Sequence, residues 1–517
     1  MDVLTVTAAA DLDPGLICAI AAGGTMPESA PPGSAAPGRA APGSAAPGRA
    51  VRIGSALLDE VQRRCEQARA ELRRGHPVYG VNTGMGALSG VRLTRAQQLA
   101  HQRTLMLARA PGGPPWLDAA DVRAIIAVRL RTFLSGDAGV SGQLCQRLVD
   151  FLDKDIIPAV PRTGVGSAGE IMPLAHAFGP LTGIGQVLGH GGEIMPAGHA
   201  LRDHRIGEFA LGPKEGIALL AGVPGATALS VRRLAEARAV AAMMEAAAGL
   251  SIAAAGAPRD PYDAACARGD DILAGVLRRL RTATGDNPAP RTLQAPVSFR
   301  VAGPVLTQVL RAADALTAAI ERALTGVTDS PAFLGGRFTG TAGFHGIDLA
   351  AHCDQVTAAL AHAAEVSSAR IHRLLDPLVT GLPAQLARTP GPDAGLVAVH
   401  KRAAGEIHAM RRLAGATPVG LIETSGGQED VQSFAWEAAE ALRAALHHAR
   451  VVTACELLTA CQAIALVDRP PPPGCRGVLG WLAATVEPVL ADRPFGEDIE
   501  RILLAPWPET PAEAAAE

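Results

Sequence analysis

Aromatic side chains are scarce in this chain of 517 residues: they make up 3%, and only Tyr79 and Tyr262 are tyrosines. Phenol chemistry therefore has two candidates and no more. An excess of either charge is also missing. Lys and Arg total 47 against 50 Asp and Glu, a net charge of −3, so no basic surface advertises a nucleic-acid partner. Eight cysteines are scattered from Cys18 to Cys475 without one Cys-x-x-Cys pair. That spacing suggests neither a zinc site nor a disulfide framework, and no metal is expected. A reduced, cytoplasmic setting is the simplest reading. The first residues carry no basic stretch and are followed by Asp11 and Asp13, which argues against a signal peptide. The most apolar run, 239–257, is interrupted by Glu245 and Gly249 and reads as a buried helix rather than a membrane span.

What the chain does have is aliphatic. Hydrophobic residues reach 48%, with Ala and Leu dominant, which favours helix over sheet. From Ser55 to Arg74 the positions Leu57, Leu58, Val61, Cys65, Ala68 and Leu72 follow a 3.6-residue period, predicting a helix. Further long helices are expected at 118–152, 215–255, 298–325, 348–376 and 428–466. With glycine-rich connections, these predict an all-α fold, an extended helical bundle. Residues 32–50 repeat Pro-Gly-Ser-Ala-Ala-Pro-Gly-Arg-Ala-Ala nearly twice, and side chains this small bury too little area to offset chain entropy. That stretch reads as a disordered insertion, looping out after an N-terminal segment (1–31) whose apolar piece 12–22 docks on the body. The remaining organisation reads as a catalytic-loop region at 51–215, a central long-helix bundle at 216–470 and a C-terminal segment at 471–517.

Several short motifs carry more than composition does. They include Tyr79-Gly80-Val81-Asn82-Thr83-Gly84-Met85-Gly86, Gly166-Ser167-Ala168-Gly169-Glu170 before Pro173-Leu174-Ala175-His176, and Lys214-Glu215-Gly216. Further along come Gln294-Ala295-Pro296-Val297-Ser298-Phe299-Arg300, Thr328-Asp329-Ser330-Pro331, Phe344-His345-Gly346, and Gln428-Glu429-Asp430. Each alone is weak. In this order, from about residue 52 to about 470, they resemble the histidine and phenylalanine ammonia-lyase family. The resemblance implies a fold of the fumarase/histidine ammonia-lyase-like superfamily, an elongated helical bundle. It also implies an amino-acid-type small-molecule substrate and a homotetramer whose active sites form where several subunits meet.

In that family an Ala-Ser-Gly tripeptide cyclises to an electrophilic ring, methylidene imidazolone. The glycine nitrogen attacks, and the serine hydroxyl leaves. Here the triad is Ser167-Ala168-Gly169, and Ala168 has no hydroxyl to lose. A ring shifted by one residue would need the nitrogen of Ala168, whose Cβ crowds the attack. The ring is therefore not expected. Other departures fall at the same site: Ala221 where the family has an Asn, Val297 for a second Tyr, Gly343 for an Asn, Arg109 for a His, and Asp137 for a Tyr.

The resemblance assigns roles to what remains. Tyr79 is the base for the β-proton, and Asn82 in the same loop is expected to bind the substrate. Arg300, with Gln294 in its motif, matches the substrate-carboxylate fork, a geometry suited to two charge-assisted hydrogen bonds. Glu429 faces the amino group or side chain. His400 and Lys401 stand where the family places side chains near the substrate, and either suits an electrostatic partner or an acid. The expected activity is elimination of an amine, from an amino acid or its betaine, without the ring. The alternatives are an ordinary histidine or aromatic amino-acid ammonia-lyase, or a catalytically inactive ligand-binding homologue.

Overall fold

The structure is a computed structural model that describes residues 3–23 and 50–507, apart from His190, Pro288, Leu421 and Arg469. The repeat lies outside these residues except for Ala50. The chain is all-α in character, and the expected helices are present with informative breaks. Ser55–Arg73 is one helix whose Val61, Cys65 and Ala68 are buried, as the periodicity requires. The stretch 118–152 is two helices, Ala119–Leu134 and Gly142–Asp153. Gly136 and Gly139 between them have positive φ, and the hydroxyl of Ser141 caps the second by accepting the Leu144 N–H at 3.3 Å. The stretch 215–255 breaks in the same way, into Glu215–Leu220 and Pro224–Ala254, with Gly222 at φ +81° and Pro224 at the first helical position.

The stretch 298–325 is divided into Val297–Arg300 and Ala302–Thr325. Pro304 explains this, because it cannot donate to the Arg300 carbonyl and its ring would clash there. Ile347–Leu374 runs almost as expected and stops ahead of Pro377. The last long helix, Ala435–Leu466, begins seven residues later than its pattern suggested, since Phe434 has φ +52° and residues 424–429 form a turn closed by a Thr424–Glu429 bridge. Glu215–Ala254 and Ala435–Leu466 are long and apolar enough to cross a membrane, yet 72% and 78% of their most apolar windows are buried, as in core helices.

Small sheets complete the fold. Val3–Val6 pairs in parallel with Ala50–Ile53, the strand that begins at the last residue of the repeat. The 12–22 piece docks as expected: Leu12 and Ile17 are fully buried. Ile157–Pro158, Gln186–Leu188 and Ile194–Pro196 form a three-stranded antiparallel sheet, and Ala332–Leu334 pairs with Arg337–Thr339. All eight cysteines are free thiols.

Two compact units emerge, neither of them a continuous segment. The first gathers 1–232, 317–353 and 416–440, and the second 233–316, 354–415 and 441–517. The second unit is pinned internally by Glu456. Its carboxylate takes Arg370 Nε at 2.6 Å and Nη2 at 2.8 Å, together with the hydroxyls of Ser251 and Ser367. This pair is fully buried, so every lone pair needs the donor it has.

Candidate active site

The tyrosine loop is held from inside. Asn82 Oδ1 accepts the Val78 N–H at 2.7 Å, and its Nδ2 donates to the His76 carbonyl at 2.7 Å. The Asn82 amide is thus occupied in shaping the loop. Gln102, fully buried on the Arg95–Ala108 helix, donates to the Gly80 carbonyl and accepts the Ile217 N–H, each at 3.0 Å. On this support the Tyr79 ring is 37% exposed, and its hydroxyl oxygen accepts the Gly86 N–H at 2.8 Å.

Arg109, at the end of the Arg95–Ala108 helix, belongs to the same neighbourhood. Burial lowers its guanidinium below the usual value, while the side chains of Tyr79 and Glu429 act in the opposite sense. Ser167, Ala168 and Gly169 lie in the same unit as this group. Glu429 Oε2 accepts the Thr424 hydroxyl at 3.0 Å and reaches the Ala168 N–H at 3.4 Å. The Ser167 hydroxyl donates to the Gly169 carbonyl at 2.6 Å.

Ser167, Ala168 and Gly169 line a narrow cleft whose other walls include Phe344, Phe434 and Glu437. Two carboxyls stand here, Glu170 buried and Glu437 half-buried. Glu170 accepts the Gly225 and Ala226 N–H groups at 2.7 and 2.6 Å, at the positive end of the Pro224–Ala254 helix. Burial pushes it up to about 7, against those donors and Arg129, with Glu437 adding to the rise. Glu437, in the first turn of its helix, accepts the Val165 N–H at 2.9 Å. Burial also pushes it up to about 7, against the backbone donors, and Glu440 adds to the rise. Its Oε2 is buried with no hydrogen-bond partner among the described residues.

Below, Arg129 is fully buried and lowered to about 10 by burial, with Asp329 and Glu170 acting against that fall. It donates to the Leu219 and Ala221 carbonyls and lies over the rings of Phe133 and Phe178. Lys214 and Asp329 form a buried ion pair at 2.7 Å. Neither acid of the cleft was singled out by the sequence for a role. Glu170 was legible inside its motif, whereas Glu437 had no signal beyond following Trp436, whose fully buried indole donates to the Arg162 carbonyl.

The remaining sequence candidates belong to the second unit. Arg300 Nη1 donates to Gln294 Oε1 at 3.1 Å, and its Nε is buried without a hydrogen-bond partner among the described residues. Gln294 is exposed. His400 stacks on His372 with ring centroids 4.9 Å apart, and burial, then His372, lowers it below the usual imidazole value. Lys401 is exposed on the Val397–Leu413 helix.

The side chains present do not fit a methylidene imidazolone. Ala168 carries a methyl group, and the one neighbouring hydroxyl, of Ser167, is bonded to Gly169. Ala221 caps a helix with a methyl side chain. At Gly343 an added Cβ would lie 2.1 Å from the Val327 carbonyl oxygen, so this backbone admits no asparagine there.

The aromatic amino acid lyase family matches residues 43–484. The chain is 30% identical to a histidine ammonia-lyase of Symbiobacterium thermophilum, covering 86% of this chain and 89% of that one. It is 33% identical to a histidine ammonia-lyase of Geobacillus thermodenitrificans, covering 83% and 87%. Among solved structures, the ergothioneine-degrading ergothionase of Treponema denticola superposes with a TM-score of 0.86 at 22% identity, over 97% of this chain and 98% of that one. Tyrosine aminomutase of Streptomyces globisporus gives 0.83 at 25%, over 88% and 92%. By its motifs, its fold and these likenesses, the chain belongs to the aromatic amino acid lyase family.

Proposed function

We propose that this protein is a carbon–nitrogen lyase that eliminates an amine from an amino-acid betaine without a methylidene imidazolone ring, as a cytoplasmic homotetramer. The observation that carries the reading is Ala168: the residue beneath the Glu429 carboxylate has no hydroxyl to lose, while the base loop is retained and firmly held. A ring electrophile serves to activate a poor leaving group. A quaternary nitrogen needs none, because it departs as a neutral amine.

In this reading Tyr79 removes the β-proton and Arg300 holds the carboxylate through its guanidinium fork. Glu429 and Arg109 set the contacts around the leaving group and side chain. Asn82 keeps the Tyr79 loop in shape, with Gln294 orienting Arg300. His400 and Lys401 contribute to the substrate's electrostatic surroundings. The fold shared with an ergothioneine-degrading enzyme supports a betaine substrate.

The test is amine release from ergothioneine, histidine betaine and the matching free amino acids, with intact mass measured alongside. Release from a betaine by a chain of unmodified mass is expected. A mass lower by two waters, with ammonia released from histidine, would instead establish the ordinary ammonia-lyase chemistry of the 30–33% identical relatives. Binding without turnover, unaffected by Tyr79→Phe, would make the protein an inactive binder.

A further inference from the structure

The proposed elimination leaves one atom of the cleft unused. Glu437 Oε2 is buried beside the Ser167-Ala168-Gly169 segment and has no hydrogen-bond partner among the described residues, although its Oε1 is held by Val165. A buried acceptor left bare is costly, and a carboxylate more so, unless a proton or a ligand satisfies it.

The charged groups around it decide where a proton sits. Glu170 is raised by burial as well, but two backbone N–H donors and Arg129 act on it in the opposite sense and both its oxygens are occupied. Glu440 bears on Glu437 in the sense that opposes ionisation, and Glu440 is itself paired with Arg162 at 3.0 Å. No cation pairs with Glu437 in the described structure. Glu437 acts on Glu170 in turn, and a proton is best placed on the Glu437 oxygen that no donor occupies.

We infer that Glu437 is the acid that receives the departing nitrogen, an inference that rests on the elimination proposed above. Tyr79 takes the β-proton, the C–H pair becomes the carbon–carbon double bond, and the C–N pair leaves on nitrogen. The neutral amine's lone pair takes the proton of Glu437, giving an ammonium paired with the Glu437 carboxylate. When the ammonium leaves, water returns a proton to Glu437 and takes up the one held by Tyr79, which restores both groups. An aliphatic amine is a stronger base than a carboxylate, so the transfer runs toward the amine.

The inference is tested without turnover by calorimetric titration of the full-length protein with trimethylammonium chloride, at about pH 6 to 7, in two buffers of different ionisation enthalpy. The wild type is expected to bind with release of a fraction of a proton, as Glu437 ionises beside the cation. Glu437→Gln keeps the Val165 contact but is expected to release none and to bind about tenfold or more weakly. Equal affinity and proton release in the two proteins, or no binding by the wild type, overturns the inference.

Kinetics separate the two readings. If betaines are eliminated, wild-type kcat should fall through an alkaline limb that Glu437→Gln lacks, and a variant with unchanged kcat and pH profile overturns the role of Glu437 alone. If no betaine is eliminated but the calorimetric difference holds, Glu437 stands as the amine-binding acid and the lyase reading fails.

Discussion

The carboxyl pair of the cleft makes the stability of this protein depend on pH in a direction opposite to that of most carboxylates. In the unfolded chain a glutamate loses its proton near 4.5, while burial pushes Glu437 up to about 7 in the fold. Between those values the folded state holds a proton that the unfolded state has lost. The favourable contribution is therefore complete below about 4.5, declines as pH rises through about 7, and is level above it. At about 1.36 kcal/mol per pH unit, this interval is worth about 3 kcal/mol. Glu437→Gln resembles the protonated acid: it keeps an oxygen for the Val165 N–H and puts an amide where the proton was. The variant should match the wild type at about pH 5 and exceed it by about 3 kcal/mol at about pH 8. Urea unfolding at one fixed protein concentration measures both gaps, since any association shifts stability by mass action. A wild-type-to-variant difference that is the same at both pH values would refute the reasoning.

Three further outcomes follow from the same geometry. Lys214→Met strands the buried Asp329 carboxylate, which burial already raises above its usual range, and should cost about 3–5 kcal/mol near neutrality. The loss should shrink in acid as Asp329 takes a proton, and urea curves at two pH values would expose an equal loss as a contradiction. Gly343→Ala drives a Cβ against the Val327 carbonyl and should destabilise by about 1–3 kcal/mol; an unchanged unfolding midpoint would show that the backbone yields freely. Tyr79→Phe should lower kcat on a betaine substrate by about 10²–10⁴-fold with little change in KM, and steady-state kinetics with full retention of kcat would remove Tyr79 as the base.

Much of the fold was written locally. The 3.6-residue period marks Ser55–Arg73, and the breaks after Leu134 and Leu220 fall at glycines with positive φ. Pro304 was equally visible, and its cost to the turn before it divides a stretch whose apolar pattern runs straight through. The motifs, read in order, established the family, and Ala168 established that its serine is missing, because a side chain's lack of a hydroxyl is a covalent fact that needs no neighbours.

Other features depend on residues far apart in the chain. The pairing of Val3–Val6 with Ala50–Ile53 spans the whole repeat segment, and backbone strands that short leave no pattern. Asn82 had the look of a ligand-binding amide until both its ends met the loop's own backbone. Glu437 is an ordinary glutamate in a helix's first turn by sequence. Only the arrival of Val165, Glu170 and Glu440 around it removes water, withholds a cation and turns a surface-type residue into an acid that keeps its proton near neutral pH. Composition and motif decide which groups are available, whereas desolvation and the distances between charges, which set protonation, exist only once the chain is folded.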